Sequence, residues 1–537
     1  MPISSSITAL TVTAFRPQPF FNRVHELAAL DRAWRQATRQ GQMALVYGRR
    51  RVGKTYLLQH FFGTDPCHPE SAKRHCYSLA EQTTATAQRA ALAAQVLEAL
   101  PDAGVSEADL AVSWNAILRH VSFHCRAVPG RNSAGDEKSL SDEKSAGDEE
   151  QPFGLILDEF PYLVAQSPEL PSVLQAWWDR EGIGAHLLVV LCGSQLSAME
   201  ALGAESAPLF GHFNGGRLLL TPLSYEDVAA FYFESPQYGL RETLIMYGAL
   251  GGTPRYHALV DTTRPMNEEI VDLLMRPRSP LETEVRFLLT SEQIRDPAPY
   301  NAVLGAVAAG HTQFSELQQQ THTETAALSY SLRTLISLGW LRREFPFEET
   351  REKRAQYRIA DPFVTFWYRF VAPLSSALQF SDPAQVYAGH VAPFLADYMG
   401  RYVFEDICHQ WLRRHAGERL GLTISDAGRW WSRDGRVELD IVARLDRVNV
   451  DAANSDVGRY LYGECKWSQD RSVGLAVYSA LLAKVAQLPR DEQKRDARFV
   501  LFSVGGFSPD LETLAADPTS RLHLVKGSDL LLPDIQS

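Results

Sequence analysis

Gln42–Leu58 reads QMALVYGRRRVGKTYLL. Met43 to Tyr47 is a continuous apolar run of strand length, the pattern of a strand covered on both faces in a parallel sheet. Gly48-Arg49-Arg50-Arg51-Val52-Gly53-Lys54-Thr55 follows directly and matches G-x-x-x-x-G-K-T in full. The spacing predicts a strand, a phosphate-cradling loop and a helix that opens near Lys54 and carries Tyr56. The two glycines let the backbone N–H groups of Gly48 to Gly53 close around phosphates, and Lys54 neutralises the β and γ groups. Thr55 offers a hydroxyl to Mg²⁺ at a helix N-terminus whose dipole favours anions.

Working outward, Phe153–Leu163 reads FGLILDEFPYL. A strand ending in Asp158-Glu159 supplies what the loop lacks: Asp158 to hold the Mg²⁺ water shell, and Glu159 to orient or deprotonate an attacking water. A third apolar run, His186 to Cys192, ends in Gly193-Ser194-Gln195. Ser194 is placed to sense a γ-phosphate; a plain strand-terminating turn would look similar. Upstream, Phe21-Asn22-Arg23 with Glu26 and Leu27 begins an amphipathic helix through Leu30 and Trp34. Downstream come Pro222-Leu223-Ser224-Tyr225 and a helical stretch to Gly251-Gly252-Thr253-Pro254-Arg255-Tyr256.

These motifs, in this order, resemble the prokaryotic AAA+/STAND-type ATPases of the archaeal type, over Phe20 to Leu289. The resemblance implies a P-loop ATPase using ATP and Mg²⁺, with Phe21 to Leu27 beside the adenine, a helical lid after Pro222, and Phe21, Arg23 and Arg255 among the nucleotide-binding residues. One departure stands out. Leu209-Phe210-Gly211-His212 places histidine where family members commonly show arginine. Arg217 lies five residues on, and the trans-acting finger is either Arg217 or absent; a homo-oligomer is a candidate assembly.

Tyr300–Ala309, Phe314–Gln320 and Glu324–Leu338 read as three helices, followed by short strands at Leu341–Phe345 and Gln356–Ile359. This is the layout of a winged helix-turn-helix. The third helix has one basic residue, Arg333, while Arg351, Lys353, Arg354 and Arg358 gather on the wing among Glu348, Glu349 and Glu352. DNA contact through the wing and a purely structural or protein-binding role both fit.

In the last segment Arg436–Ala443, RVELDIVA, alternates as a strand with Glu438 and Asp440 on one face. Tyr460–Trp467, YLYGECKW, places Glu464 and Lys466 together and turns Cys465 away. A helix over Phe394–Arg414 carries Glu405. The pattern resembles the PD-(D/E)XK nuclease core. That resemblance implies Asp440 and Glu464 as Mg²⁺ ligands, Lys466 polarising the attacking water, and Glu405 as an accessory acid. Inactive copies of the fold serve as binding modules, so cleavage and binding both stay open.

Composition sets the limits. At roughly 150 residues per domain, 537 residues allow about three to four domains, and 45% hydrophobic with 22% charged residues excludes wholesale disorder. No uncharged apolar run approaches the roughly 18 residues of a membrane helix. Six cysteines without a CxxC pair suit a reducing, cytoplasmic setting. Of the net charge of −11, Ser133–Glu150 carries seven acids against two lysines, so a solvated acidic insertion skews the total.

The expected organisation is an α/β chain: a tail over 1–18, a P-loop ATPase core over 19–225 with a disordered acidic insertion at 133–150, and a helical lid over 226–290. A winged helix over 291–375, a linker over 376–393 and a nuclease-like α/β domain over 394–537 follow.

Overall fold

Five short segments build a parallel sheet: β1 (Gln42–Tyr47), β2 (His75–Leu79), β3 (Phe153–Asp158), β4 (Leu187–Gly193) and β5 (Gly216–Leu219). Their order is β2-β3-β4-β1-β5, and every pairing is parallel. β1, β3 and β4 are buried at every position, as their unbroken apolar runs require. β4 therefore stands between the strand that feeds the glycine loop and the strand that ends in Asp158. A computed structural model supplies these coordinates and describes residues 22–63, 72–126, 151–291, 294, 296–349, 354–446, 460–468, 472–488 and 497–531. Phe21, Arg351, Lys353, the tail over 1–18 and the acidic segment over 133–150 lie outside the described residues.

The chain divides into two compact units. The first comprises Met1–Gly48, Gly53–Ser194 and Ala198–Leu220; the second comprises Arg49–Val52, Gln195–Ser197 and Thr221–Ser537. In the first unit, Val24–Ala37 buries Leu30, Ala33, Trp34 and Ala37 along one stripe. Helices Ala85–Ala99 and Trp114–His124 occupy sequence that carries no motif, and Thr84 and Ser113 cap them through their side chains.

In the second unit, helices Ala298–Ala308, Phe314–Thr321 and Thr325–Ser337 precede an antiparallel hairpin of β6 (Leu341–Glu344) and β7 (Gln356–Ile359). Leu328, Leu332 and Leu335 of the third helix are buried, whereas Arg333 and Tyr330 are exposed. Residues 376–393, expected as a linker, instead carry most of helix Ser375–Phe380 and all of Pro383–His390, with Leu378, Val386 and Tyr387 in the core. Asp382 caps the second of these at its Ala384 N–H.

A second sheet closes the unit: β8 (Ile424–Trp431), β9 (Glu438–Leu445), β10 (Tyr460–Lys466), β11 (Arg498–Ser503) and β12 (Leu522–Lys526), in the order β12-β11-β10-β9-β8. β8, β9 and β10 run antiparallel, while β10, β11 and β12 are parallel. Alternate side chains divide the faces. Leu461, Cys465, Val500 and Phe502 join the core that holds Ile407 and Trp411 of helix Phe404–Leu420, and Tyr462 and Leu501 join Tyr478 and Leu481 of helix Leu475–Ala486. Both faces are covered, so β10 is buried from Leu461 to Cys465, and Glu464 is itself only 3% exposed. Among the described residues no helix is long and apolar enough to cross a membrane.

Candidate functional site

At the C-terminal ends of β1, β3 and β4 the first unit gathers Gly48, Lys54, Thr55, Asp158, Glu159 and Ser194. Gly53 caps helix Lys54–Phe62 at φ 95°, a left-handed conformation that favours glycine. A Cβ on Gly48 would strike the Leu220 carbonyl. Lys54 is buried, and its Nζ donates to the Gly48 carbonyl at 2.9 Å, so the ammonium is held inside the loop. Thr55 Oγ1 donates to Asp158 Oδ2 at 2.9 Å, and Tyr77 OH donates to the same oxygen. Burial, reinforced by the Asp158 carboxylate, raises the Tyr77 hydroxyl above its ordinary range and keeps it a neutral donor.

Glu159 sits at φ 52°, a left-handed setting unusual for a residue with a side chain. Asp158 Oδ1 accepts the Glu159 N–H at 2.9 Å. Ser194 Oγ lies 2.9 Å from both Glu159 carboxylate oxygens, and the Ser194 N–H adds 3.2 Å to Oε2. The turn at the end of β4 thus grips the acid at the end of β3. Thr55 and Asp158 present a hydroxyl and a carboxylate, the hard oxygen donors that Mg²⁺ takes, so the residues present fit that cation.

Arg23, at the start of helix Val24–Ala37, is buried and pairs with Glu26 at 3.1 Å. Tyr56 is half-buried. Arg49 to Val52 group with the second unit, where Arg51 pairs with Glu284 at 3.1 Å and Arg49 with Asp361 at 3.4 Å. In the same unit Arg50 lies over the Phe287 ring at 5.1 Å and Val52 is buried. Arg255 is exposed on helix Pro254–His257. Arg217 donates to the Gly203 carbonyl at 3.3 Å, and His212 bonds Asp179 at 3.0 Å.

In the second unit β9 and β10 bring Asp440 beside Glu464 and Lys466. Asp440 Oδ2 accepts the Cys465 N–H at 2.8 Å. Glu464 Oε2 accepts from Lys466 Nζ at 2.7 Å, and Oε1 from Lys484 Nζ at 2.5 Å. Lys484 carries no motif, but its signal is legible: it is the one charged residue of helix Leu475–Ala486. Burial, then Glu405 and Glu464, push the Asp440 carboxyl up to about 7, against the pull of Lys466. Burial alone would lower the Lys466 ammonium, but Glu464 and Asp440 outweigh it and hold it above its ordinary value.

Glu405 is engaged elsewhere. Arg429 reaches Glu405 through Nε at 2.8 Å, Glu344 through Nη1 at 3.0 Å and Asp406 through Nη2 at 2.6 Å. Arg358 adds a bond to Glu405 at 3.2 Å, and Arg342 one to Asp406 at 2.5 Å. Burial would raise Asp406, but Arg342, Arg429 and Arg358 outweigh it and hold the carboxyl well below its ordinary range. Of the wing's basic residues, Arg354 pairs with Glu349 at 2.6 Å and Arg358 belongs to this network. A cavity of about 610 Å³ opens beside the network, with Glu405, Asp440, Lys466, Arg401, Tyr402 and Trp467 in its wall.

Two family models match different stretches of the chain. Residues 20–260 match the family described as "ATPase domain predominantly from Archaea". That match spans the glycine loop, Asp158-Glu159 and Ser194, so this segment is similar to an archaeal-type ATPase domain. Residues 367–474 match the family described as "Archaea bacterial proteins of unknown function", a span that includes Glu405, Asp440, Glu464 and Lys466. An uncharacterised protein of Methanocaldococcus jannaschii is 27% identical over 368 residues, 66% of this chain and 80% of that protein. Among solved structures, the Walker-type ATPase of Pyrococcus abyssi is 18% identical, with 66% of this chain and 97% of that one covered and a TM-score of 0.46. The Aeropyrum pernix ORC2 protein, solved as ADPNP-ADP complexes, is 14% identical, with 69% and 98% covered and a TM-score of 0.40.

Proposed function

We propose that the chain is an ATP-binding, Mg²⁺-dependent ATPase switch whose second unit handles nucleic acid. The observation that carries the ATPase is the Thr55–Asp158 contact at 2.9 Å beneath a complete glycine-loop motif, with Glu159 at the next position. Bound there, Mg²⁺ would be held by Thr55 and Asp158 and would offset charge on the phosphates. Lys54 exchanges the Gly48 carbonyl for phosphate oxygens, and Glu159, released from Ser194, accepts a proton from the attacking water. Sensing by Ser194 belongs to the same reading, as do nucleotide contacts from Arg23, Arg49 to Tyr56 and Arg255. Self-association also belongs to it, with no arginine finger assigned.

The order β8-β9-β10-β11, preceded by helix Phe404–Leu420 and crossed by helix Leu475–Ala486, supports a nuclease-like fold. The three helices and β6-β7 hairpin support a winged helix. One observation favours binding over cleavage: both oxygens of Glu464 are taken by ammonium groups and Glu405 by guanidinium groups, so this arrangement does not fit a divalent cation. Full-length protein with ATP, Mg²⁺ or Mn²⁺, and single- or double-stranded DNA or RNA tests the reading. Nucleotide-dependent retention of a nucleic acid without strand breakage is expected. Cleavage that disappears in Asp440→Ala and Lys466→Ala would restore the nuclease instead, and the ATPase should survive both changes.

A further inference from the structure

Asp102, His120 and His124 bring one carboxylate oxygen and one nitrogen of each imidazole to within 4.8 Å of one another. Among the described residues no other three His, Cys, Asp or Glu side chains meet this closely. His120 and His124 stand four residues apart on helix Trp114–His124, hence on one face, with ring centroids 4.4 Å apart. His120 is buried, and its Nε2 lies 2.9 Å from the Leu100 carbonyl oxygen. The chain segment that carries Asp102 two residues further on therefore also orients this ring, as outer-shell carbonyls orient metal-binding imidazoles.

His124 Nε2 supplies the second observation. It is sealed from solvent and has no hydrogen-bond partner, and it stands 3.5 Å from Asp102 Oδ2. A charge-assisted hydrogen bond would draw the pair to about 2.7–2.9 Å. Two donors each roughly 2.0–2.1 Å from a tetrahedral ion lie roughly 3.4 Å apart. The separation matches two ligands of one ion better than two ends of a hydrogen bond.

We propose that Asp102, His120 and His124 form a binding site for a zinc-class divalent cation, separate from the nucleotide site. Two imidazoles with one carboxylate suit Zn²⁺ and its neighbours Co²⁺ and Ni²⁺, whereas Mg²⁺ prefers oxygen donors alone. The Asp102 side chain is 32% exposed, so water can complete the coordination. Held this way, the loop after helix Ala85–Ala99 is pinned to the last turn of helix Trp114–His124.

The test is a Zn²⁺ titration of full-length protein in excess Mg²⁺, with bound metal counted and thermal unfolding followed. One tight Zn²⁺ per chain and a raised Tm are expected. His124→Gln and Asp102→Asn, both at partly exposed positions, should weaken binding at least tenfold, with far-UV circular dichroism confirming that they fold. His212→Gln, which removes the bonded His212–Asp179 pair, should leave binding unchanged. Co²⁺ should give visible ligand-field absorption in the wild type that both site variants lose. Absence of stoichiometric Zn²⁺, or equal binding by wild type, His124→Gln and Asp102→Asn, overturns the proposal.

Discussion

Ser194 Oγ lies 2.9 Å from both carboxylate oxygens of Glu159, so the acid at the end of β3 is held by the strand that separates it from the glycine loop. In the proposed reaction Ser194 leaves Glu159 for the γ-phosphate, and a hydrogen bond to such an ionised group contributes about 1.5–3 kcal/mol. Ser194→Ala should lower single-turnover ATP hydrolysis roughly ten- to hundredfold, with ATP affinity within about twofold of wild type. Unchanged turnover would reduce Ser194 to a strand-ending turn.

Glu159→Gln should bind ATP normally and hydrolyse it at least roughly a hundredfold more slowly, because an amide accepts no proton from water. Equilibrium binding beside phosphate release separates the two steps. Hydrolysis at the wild-type rate would mean that another group activates the water.

Lys54→Ala removes the one ammonium bonded inside the loop. Loss of a charge-assisted contact to phosphate should raise the ATP Kd roughly ten- to hundredfold. Titration calorimetry reads this directly, and equal affinity in the two proteins would refute the nucleotide assignment.

His257 is buried between the Tyr232 hydroxyl at 2.6 Å and the Gly251 carbonyl at 2.7 Å, and burial lowers its imidazole to about 4. The unfolded chain takes up this proton near pH 6.5 and the folded chain only near 4. The stability is therefore complete above about pH 6.5 and is lost as the pH falls toward 4. His257→Gln should flatten this acid limb by up to about 3 kcal/mol, measured by urea unfolding across the window. An unchanged slope would mean that the imidazole titrates alike in both states.

Arg429→Ala leaves the half-buried Glu344, Glu405 and Asp406 with three fewer ion pairs. Removing one partner of a fully buried ion cluster costs about 3–5 kcal/mol, so a smaller loss and a fall in Tm of a few degrees are expected. A Tm within a degree of wild type would show that the remaining arginines compensate.

The sequence discloses β1, β3 and β4 because strands covered on both faces carry unbroken apolar runs, and their ends bear the glycine loop, Asp158-Glu159 and Ser194. β2 and β5 are half-exposed and too short for periodicity to declare them. Helices Ala85–Ala99 and Ser375–Phe380 carry no motif, so the sequence does not declare them. Asp440, Glu464 and Lys466 were legible as alternating positions on two strands. Of the partners of these and the other acids, Lys484 beside Glu464 shows only as a lone charge in an apolar helix, while Arg429 beside Glu405 and Tyr77 beside Asp158 reach their acids from other elements, and only the packed fold brings them there. The Asp102–His120–His124 group is hidden for the same reason, because one of its three members, Asp102, is a loop residue near a helix end.

The three-way reach of Arg429 also bears on how this chain can drift in sequence. A guanidinium presents donors in a rigid fork, and here Nε, Nη1 and Nη2 each meet a different carboxylate; an ammonium is a single point charge. Arginine to lysine, ordinarily a mild exchange, would therefore cost at least one acid on the β6 hairpin or on helix Phe404–Leu420 its Arg429 bond and leave it to Arg342 or Arg358. Among diverging relatives Glu344, Glu405, Asp406 and Arg429 should tend to change together, with Arg342 and Arg358 retained wherever Arg429 is lost.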